Sequence, residues 1–176
     1  AICNRDFKTY KISTSGISIE RVRLSRDSKS DVELLIWDTF GQERFLYAIP
    51  PSTYRNADAA FVCYAKHFEN DAVEWIKRVK EYSPDCKIFL IETKSDQLDE
   101  EQRSQSQKAG QILINENNCY IYVLTSAKTK EGVQNLLNFA GNLSAENSMT
   151  KLPESVDLNS SQNNGIDDGN NRKCNC

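Results

Sequence analysis

The sequence predicts an α/β fold with a doubly wound, mostly parallel sheet, and three observations lead to this prediction. Short continuous apolar runs, typical of strands buried on both faces, recur along the chain. Each of these runs is followed by a segment whose apolar residues recur at helical spacing. Strands that alternate with helices in this way form parallel sheets covered by helices. The predicted strands are residues 59–64, 87–91 and 119–124, and the predicted helices are residues 71–82, 99–116 and a segment from residue 133 onward.

Further β-prone segments open the chain, at residues 7–12 and 17–24. A polar stretch at residues 25–31 predicts a hairpin turn into a strand at residues 32–37. Ser83-Pro84 is expected to end the first helix. The apolar residues expected to face the core are Val73, Ile76 and Val79 in the first helix, Ala109, Ile112 and Leu113 in the second, and Val133, Leu136, Leu137 and Ala140 in the third.

Composition indicates one domain, placed at residues 1–146, followed by a tail at residues 147–176 that is rich in Asn, Ser, Asp and Gly. Such a tail buries too little apolar surface to offset its ordering entropy, so we expect disorder there.

The net charge of -3 and the pI near 5.3 argue against a nucleic-acid binder, which would carry a basic face. The only histidine, His67, is expected to be a solvated loop residue, which makes histidine-dependent catalysis an unfavoured interpretation.

The most informative stretch is residues 36–45, where a predicted strand ends in Asp38 and Gly41-Gln42 follows. Ligands of open α/β sheets bind beyond the carboxyl ends of the strands, so Asp38 is placed to hold a phosphate-bound Mg²⁺ through water. Gly41 allows a main-chain N–H to approach an anionic oxygen closely, and Gln42 can orient an attacking water. The stretch resembles the WDTAGQERF segment of Rab-type small GTPases in all but one residue, since Phe40 replaces alanine.

A second segment, residues 92–96, follows a predicted strand and resembles the [NT]KxD guanine motif of the same family through Thr93, Lys94 and Asp96. The Asp96 carboxylate would accept two N–H bonds from the N1 and N2 edge of guanine, which adenine cannot supply. The stem of Lys94 would pack along the plane of the base.

A third segment, residues 125–128, also follows a predicted strand and resembles the SAK motif, here Ser126, Ala127 and Lys128, whose main chain contacts guanine O6 in that family. Each motif alone is weak, but their order and spacing identify the chain as similar to Rab-type small GTPases. The resemblance implies a doubly wound sheet of the P-loop NTPase small-GTPase type, with GTP or GDP and Mg²⁺ as ligands and GTP hydrolysis as the activity.

Two further features resemble the Rab branch. Phe7, Trp37 and Tyr54 match the aromatic triad that Rab proteins present to effectors, although core aromatic residues would fit the same positions. The chain ends in Cys174-Asn175-Cys176, which resembles a doubly geranylgeranylated terminus. Two lipid chains anchor a protein stably, whereas one does so only marginally. A Cys-x-Cys pair without this context can also bind metal.

The sequence departs from the family pattern at its start. No Gly-Lys-Ser/Thr phosphate loop occurs among the 176 residues, and Ile2 aligns with the threonine that normally ligates Mg²⁺. Glu92 stands where many relatives have glycine. The family's first strand lies between the strands at residues 32–37 and 59–64, and its loss would leave two unpaired backbone edges. We therefore expect that the family's first strand, phosphate loop and first helix are missing from this sequence and that it is part of a longer chain.

Two functional hypotheses follow from the resemblance. The first is a membrane-attached switch for vesicle trafficking, which hydrolyses GTP with Gln42 and lies on the cytoplasmic face of an endomembrane, with a cytosolic pool. Its implied partners are an exchange factor, a GTPase-activating protein, a GDP-dissociation inhibitor, an escort protein and effectors. The second is a lipid-anchored pseudo-GTPase that binds partners without hydrolysing nucleotide.

Overall fold

An antiparallel hairpin opens the described part of this computed structural model, which covers residues 16–26, 29–39 and 47–150. Strand β1 (Ser18–Arg26) pairs with β2 (Lys29–Asp38), with Ile19 opposite Trp37. The strands extend further into the polar stretch than the expected turn at residues 25–31, because Arg26 still pairs with Lys29. Ser25 Oγ also donates to Asp31 Oδ1 across the hairpin at 3.0 Å.

The main sheet contains three parallel strands in the order β3 (Ala59–Ala65), β4 (Lys87–Thr93) and β5 (Ile121–Leu124). Three helices alternate with these strands, α1 (Glu69–Tyr82), α2 (Glu100–Glu116) and α3 (Val133–Thr150). The predicted α/β architecture is therefore confirmed. Among the described residues, the hairpin and the parallel strands form separate sheets.

Helices cover both faces of the parallel sheet, as a doubly wound fold requires. On one face, Ile88 and Leu90 of β4 pack against α1, and partly buried residues of α2 complete that core. On the other face, Phe89 and Ile91 of β4 pack against Leu136 of α3. Burial on both faces is realised in β4, the central strand, whereas in β3 Val62 is buried and Cys63 is exposed.

Helix α2 faces the sheet with different residues from those predicted. Ala109 and Ile112 are exposed and Leu113 is half-buried, while Ser106 and Gly110 are buried. A Cβ atom at Gly110 would lie 2.5 Å from the Tyr122 ring of β5. The helix approaches β5 so closely at this point that only a glycine fits, and this contact turns the apolar Ile112 towards solvent.

The other two helices follow their predicted faces. Ile76 and Val79 of α1 and Leu136, Leu137 and Ala140 of α3 are buried, whereas Val73 and Val133 are half-buried. Helix α1 ends as predicted, with Ser83 N–H donating to Val79 O at 2.8 Å. The backbone of α3 continues to Thr150, past the position at which the composition changes. In the part of the chain that the structure describes, no helix is long and apolar enough to cross a membrane.

Candidate functional site

The loop after β4 is the first component of the candidate site. Thr93 Oγ1 donates to the carbonyl of Tyr64 at 2.8 Å, which ties the end of β4 to β3. Lys94 then adopts the left-handed conformation, with φ of 63° and ψ of 36°, and is exposed. For a residue other than glycine, this backbone conformation carries a strain energy of about 1–3 kcal/mol, and residues with such strain cluster at functional sites. The turn leads directly into a short 3-10 helix, Ser95–Gln97, that carries Asp96.

The loop after β5 meets Asp96 through Ser126. Ser126 is fully buried, and its hydroxyl donates to Asp96 Oδ1 at 2.6 Å. The same oxygen accepts the main-chain N–H groups of Lys128 and Thr129, both at 3.1 Å. One donor and two acceptor positions exhaust a hydroxyl, so the Ser126 hydroxyl is fully used, with one bond to the loop after β4 and two within its own loop. The structure thus brings together Asp96 and Ser126, two of the residues predicted to belong to the guanine motifs.

Asp96 keeps part of its hydrogen-bonding capacity available. Its side chain is 14% exposed, and Oδ2 lies 3.9 Å from Lys128 Nζ. A carboxylate has about four lone-pair positions, and the Ser126 hydroxyl occupies one of them. Ala127 is exposed, and its main-chain N–H makes no hydrogen bond to any residue that the structure describes. A carboxylate acceptor and a main-chain donor therefore stand beside each other, which is the pattern that the edge of guanine requires.

A network that the sequence analysis did not identify connects these loops to α2. Glu131, three residues after Lys128, accepts the Ser95 hydroxyl at Oε2 with a distance of 2.7 Å. Arg103 of α2 donates to both oxygens of Glu131, at 2.7 and 3.0 Å. The hydrogen bond from Arg103, followed by that from Ser95, lowers the pKa of Glu131 from 4.5 to about 2.

The Glu131 network predicts a pH dependence of stability. Because its pKa is lower in the folded protein, the stabilisation is fully present above pH 4.5 and is lost as the pH falls to about 2. The Glu131 side chain is 43% exposed, so solvent screening reduces the contribution, and we expect about 1 kcal/mol. The measurement is denaturant unfolding of the native chain and of Glu131→Gln across this range. The difference in unfolding free energy between the two proteins should be constant above about pH 5. It should vanish as the pH approaches the pKa of Glu131 in the folded protein. A difference that persists at low pH would show that the Glu131 carboxylate is not the stabilising group.

Glu92 is buried immediately before Thr93 and is only 1% exposed. Three hydroxyl groups donate to its carboxylate, from Ser106 at 2.8 Å, Tyr122 at 2.8 Å and Tyr64 at 3.3 Å. Its main-chain carbonyl accepts the N–H of Thr125 at 2.8 Å. The residue noted in the sequence only as a replacement for glycine therefore connects β3, β5 and α2 beneath the two loops.

Asp38 and the aromatic residues belong to elements other than these loops. Asp38 ends β2, as predicted. Trp37 is 47% exposed. Tyr54 is only 9% exposed and stacks on Tyr82 with ring centroids 6.0 Å apart. Tyr54 therefore packs in the core against α1, which agrees with the interpretation of these aromatic residues as core residues and leaves their role towards effectors a prediction.

Several predicted site residues lie outside the described residues. These are Phe7, Gly41, Gln42, Cys174 and Cys176, together with Ile2 and Phe40. His67, by contrast, is described and is exposed in a turn after β3, as predicted. Within residues 16–26, 29–39 and 47–150, no group of three or more His, Cys, Asp or Glu side chains forms a metal-binding cluster. Asp38 alone fits a site in which Mg²⁺ takes its other ligands from water and phosphate.

Comparison of the sequence with known proteins indicates one family. Residues 2–143 fit the Ras family model, so the chain belongs to the Ras family. Among its relatives are the GTP-binding protein ypt5 of Schizosaccharomyces pombe, 34% identical over 134 residues, and the GTP-binding protein YPT53 of Saccharomyces cerevisiae, 34% identical over 143 residues. These matches confirm the predicted resemblance to Rab-type small GTPases.

The matched segments cover 74% and 77% of this chain. They cover 62% and 64% of the two relatives. The chain thus spans less than two thirds of the length of each.

Proposed function

We propose that the loops after β4 and β5 form the guanine-binding part of a GTP/GDP site. The observation that carries this proposal is the hydrogen bond from Ser126 to Asp96, beside the available N–H of Ala127. The remaining lone pairs of Asp96 would accept guanine N1–H and N2–H, and Ala127 N–H would donate to O6. The exposed stem of Lys94 would lie against the ring. Adenine presents the opposite pattern of donors and acceptors at this edge.

The wider proposal is a Rab-like switch that binds GTP or GDP with Mg²⁺ and hydrolyses GTP during vesicle trafficking. Asp38 would help to position Mg²⁺ through water, and Gln42 would orient the water that attacks the terminal phosphate. An activating protein would supply an arginine in trans. Exchange factor, GDP-dissociation inhibitor, escort protein and effectors complete the set of partners that the family relationship suggests.

Attachment to an endomembrane is part of the same proposal. Two geranylgeranyl groups on Cys174 and Cys176 would hold the protein on the cytoplasmic face, because each buried methylene contributes about 0.8 kcal/mol. Ile2 supports the second candidate, a lipid-anchored binding module without hydrolysis, because isoleucine offers no oxygen to Mg²⁺. The two candidates share the base-binding loops and differ only in turnover of GTP.

The base preference of the protein tests this proposal. GDP, IDP and ADP carry identical phosphates, so their ratios of affinity isolate the contacts to the base. Loss of the N2–H bond to a carboxylate costs about 1.5–3 kcal/mol, and IDP should therefore bind roughly 10- to 100-fold more weakly than GDP. ADP should bind more weakly still. Competition against a fluorescent GDP analogue gives these ratios, and equal affinity for GDP and ADP would refute the proposal.

A further inference from the structure

The two base-binding loops come from different strands, and one side-chain hydrogen bond between them joins Ser126 to Asp96. The Asp96 carboxylate would need to meet two base N–H groups at once, which requires accurate placement relative to the Ser126 loop. Side chains of a binding site must be held within about 0.5 Å of the productive geometry. A second set of contacts that fixes the distance between the loops would therefore directly affect the preference for guanine over other bases.

Glu131 belongs to the loop after β5 and makes hydrogen bonds within this loop and to the loop after β4. Its carbonyl accepts the N–H of Ser126 at 3.0 Å, and its carboxylate accepts the hydroxyl of Ser95, the neighbour of Asp96, at 2.7 Å. Ser95 is fully buried, and its N–H donates back to Thr125 O at 2.9 Å. Glu131 thus holds Ser95, which adjoins Asp96 in the sequence, and Ser126, which bonds to Asp96.

Arg103 completes the connection from the side of α2. Its guanidinium donates in a fork to the two carboxylate oxygens of Glu131, and Nη2 also donates to the carbonyl of Ser95 at 2.8 Å. A planar fork of this kind fixes direction as well as distance. The start of α2 is itself fixed, because Asp99 and Gln102 form a capping box directly before Arg103. Arg103 thereby anchors both loops to a rigid helix.

We propose that Arg103 and Glu131 are positioning residues that fix the base specificity of the nucleotide site. This inference rests on the proposed guanine site and assigns a role to residues outside its base-contacting motifs. By holding the two loops at one separation before the ligand arrives, the pair reduces the ordering cost of binding. It also keeps Asp96 where both of its base contacts form together.

The test compares the GDP-to-IDP affinity ratio in the native chain, Arg103→Ala, Arg103→Lys and Glu131→Gln. Arg103→Ala should lower the ratio by about tenfold, since a mobile Asp96 gains little from the N2 amino group. Arg103→Lys should restore part of it, because an ammonium supplies a charge but no fork. Arg78→Ala is the matched control, since Arg78 donates to Glu81 at 2.9 Å and to Tyr82 at 2.8 Å on α1. It should leave the ratio unchanged.

Hydrogen exchange of the ligand-free protein separates this inference from the proposed function. The amides of Ser95 and Ser126 should lose protection in Arg103→Ala and keep it in Arg78→Ala. If the native chain does not prefer GDP over IDP, the proposed function fails, and exchange alone then decides whether the loops are held by Arg103. If the native chain prefers GDP and Arg103→Ala retains the full preference, the positioning role is overturned. An equal fall of the ratio in Arg78→Ala would also overturn it, because general destabilisation would then explain the loss.

Discussion

Replacement of Glu92 by leucine is expected to lower the free energy of unfolding by about 3 kcal/mol. Leucine removes the acceptor of three hydroxyl groups, which belong to Ser106, Tyr64 and Tyr122. Burial, followed by the interactions with Glu92, raises the pKa of both tyrosines well above 10, so they remain donors at ordinary pH. Buried donors without a partner each cost about 1–3 kcal/mol. A loss of this size is a large share of a stability of about 5–15 kcal/mol.

Denaturant unfolding measures this effect, with Glu116→Leu as the control. Glu116 is exposed at the end of α2, so its replacement should change stability by less than about 0.5 kcal/mol. A second arm removes the donors as well, by combining Glu92→Leu with Tyr64→Phe, Tyr122→Phe and Ser106→Ala. This combination should be less destabilised than Glu92→Leu alone, because replacing both partners leaves no unsatisfied group. If the destabilisations caused by the four single changes simply added up, the unpaired hydroxyl groups would not be the cause of the loss of stability in Glu92→Leu.

Replacement of Asp96 by asparagine is expected to weaken GDP binding several hundredfold, or by about 3–4 kcal/mol. The amide nitrogen of asparagine is a hydrogen-bond donor, and it would face the N–H donors of guanine, so no hydrogen bond could form between them. Xanthine carries a carbonyl in place of the guanine amino group, so this amide could donate to it. Relative to the native protein, the variant should therefore bind XDP more tightly while it loses GDP.

The substitution spares the rest of the site, which makes the result interpretable. Asparagine Oδ1 can still accept the Ser126 hydroxyl that bonds to Asp96 at 2.6 Å. Asp85→Asn is the control, because Asp85 is exposed between α1 and β4, and it should leave both affinities unchanged. A variant at Asp96 that loses GDP and XDP to the same extent would indicate damage to the loop, and Asp96 would then have no role in reading the base.

The proximity of Asp96 and Ser126 could be predicted because both follow parallel strands whose carboxyl ends share one edge of the sheet. The burial of Tyr54 could not be predicted in the same way. An aromatic residue after a Pro-Pro turn fits a surface or a core equally well, and its stacking on Tyr82 depends on how α1 packs. The predicted inward face of α2 was wrong at Ala109 and Ile112 for a related reason, since the approach of Gly110 to Tyr122 determines the rotation of the helix.

By itself, the sequence determined the α/β class and the alternation of strands and helices, and it predicted the residues proposed to read the base, because these depend on local periodicity and on short motifs at strand ends. Only the tertiary structure decided the roles of Glu92, Arg103 and Glu131. Each of these is an ordinary charged residue in the sequence, and its partners lie on other elements, up to 36 residues away for Glu131 and Ser95. No local pattern encodes such contacts, since they form only when α2 packs against β5 and the loops after β4 and β5 meet.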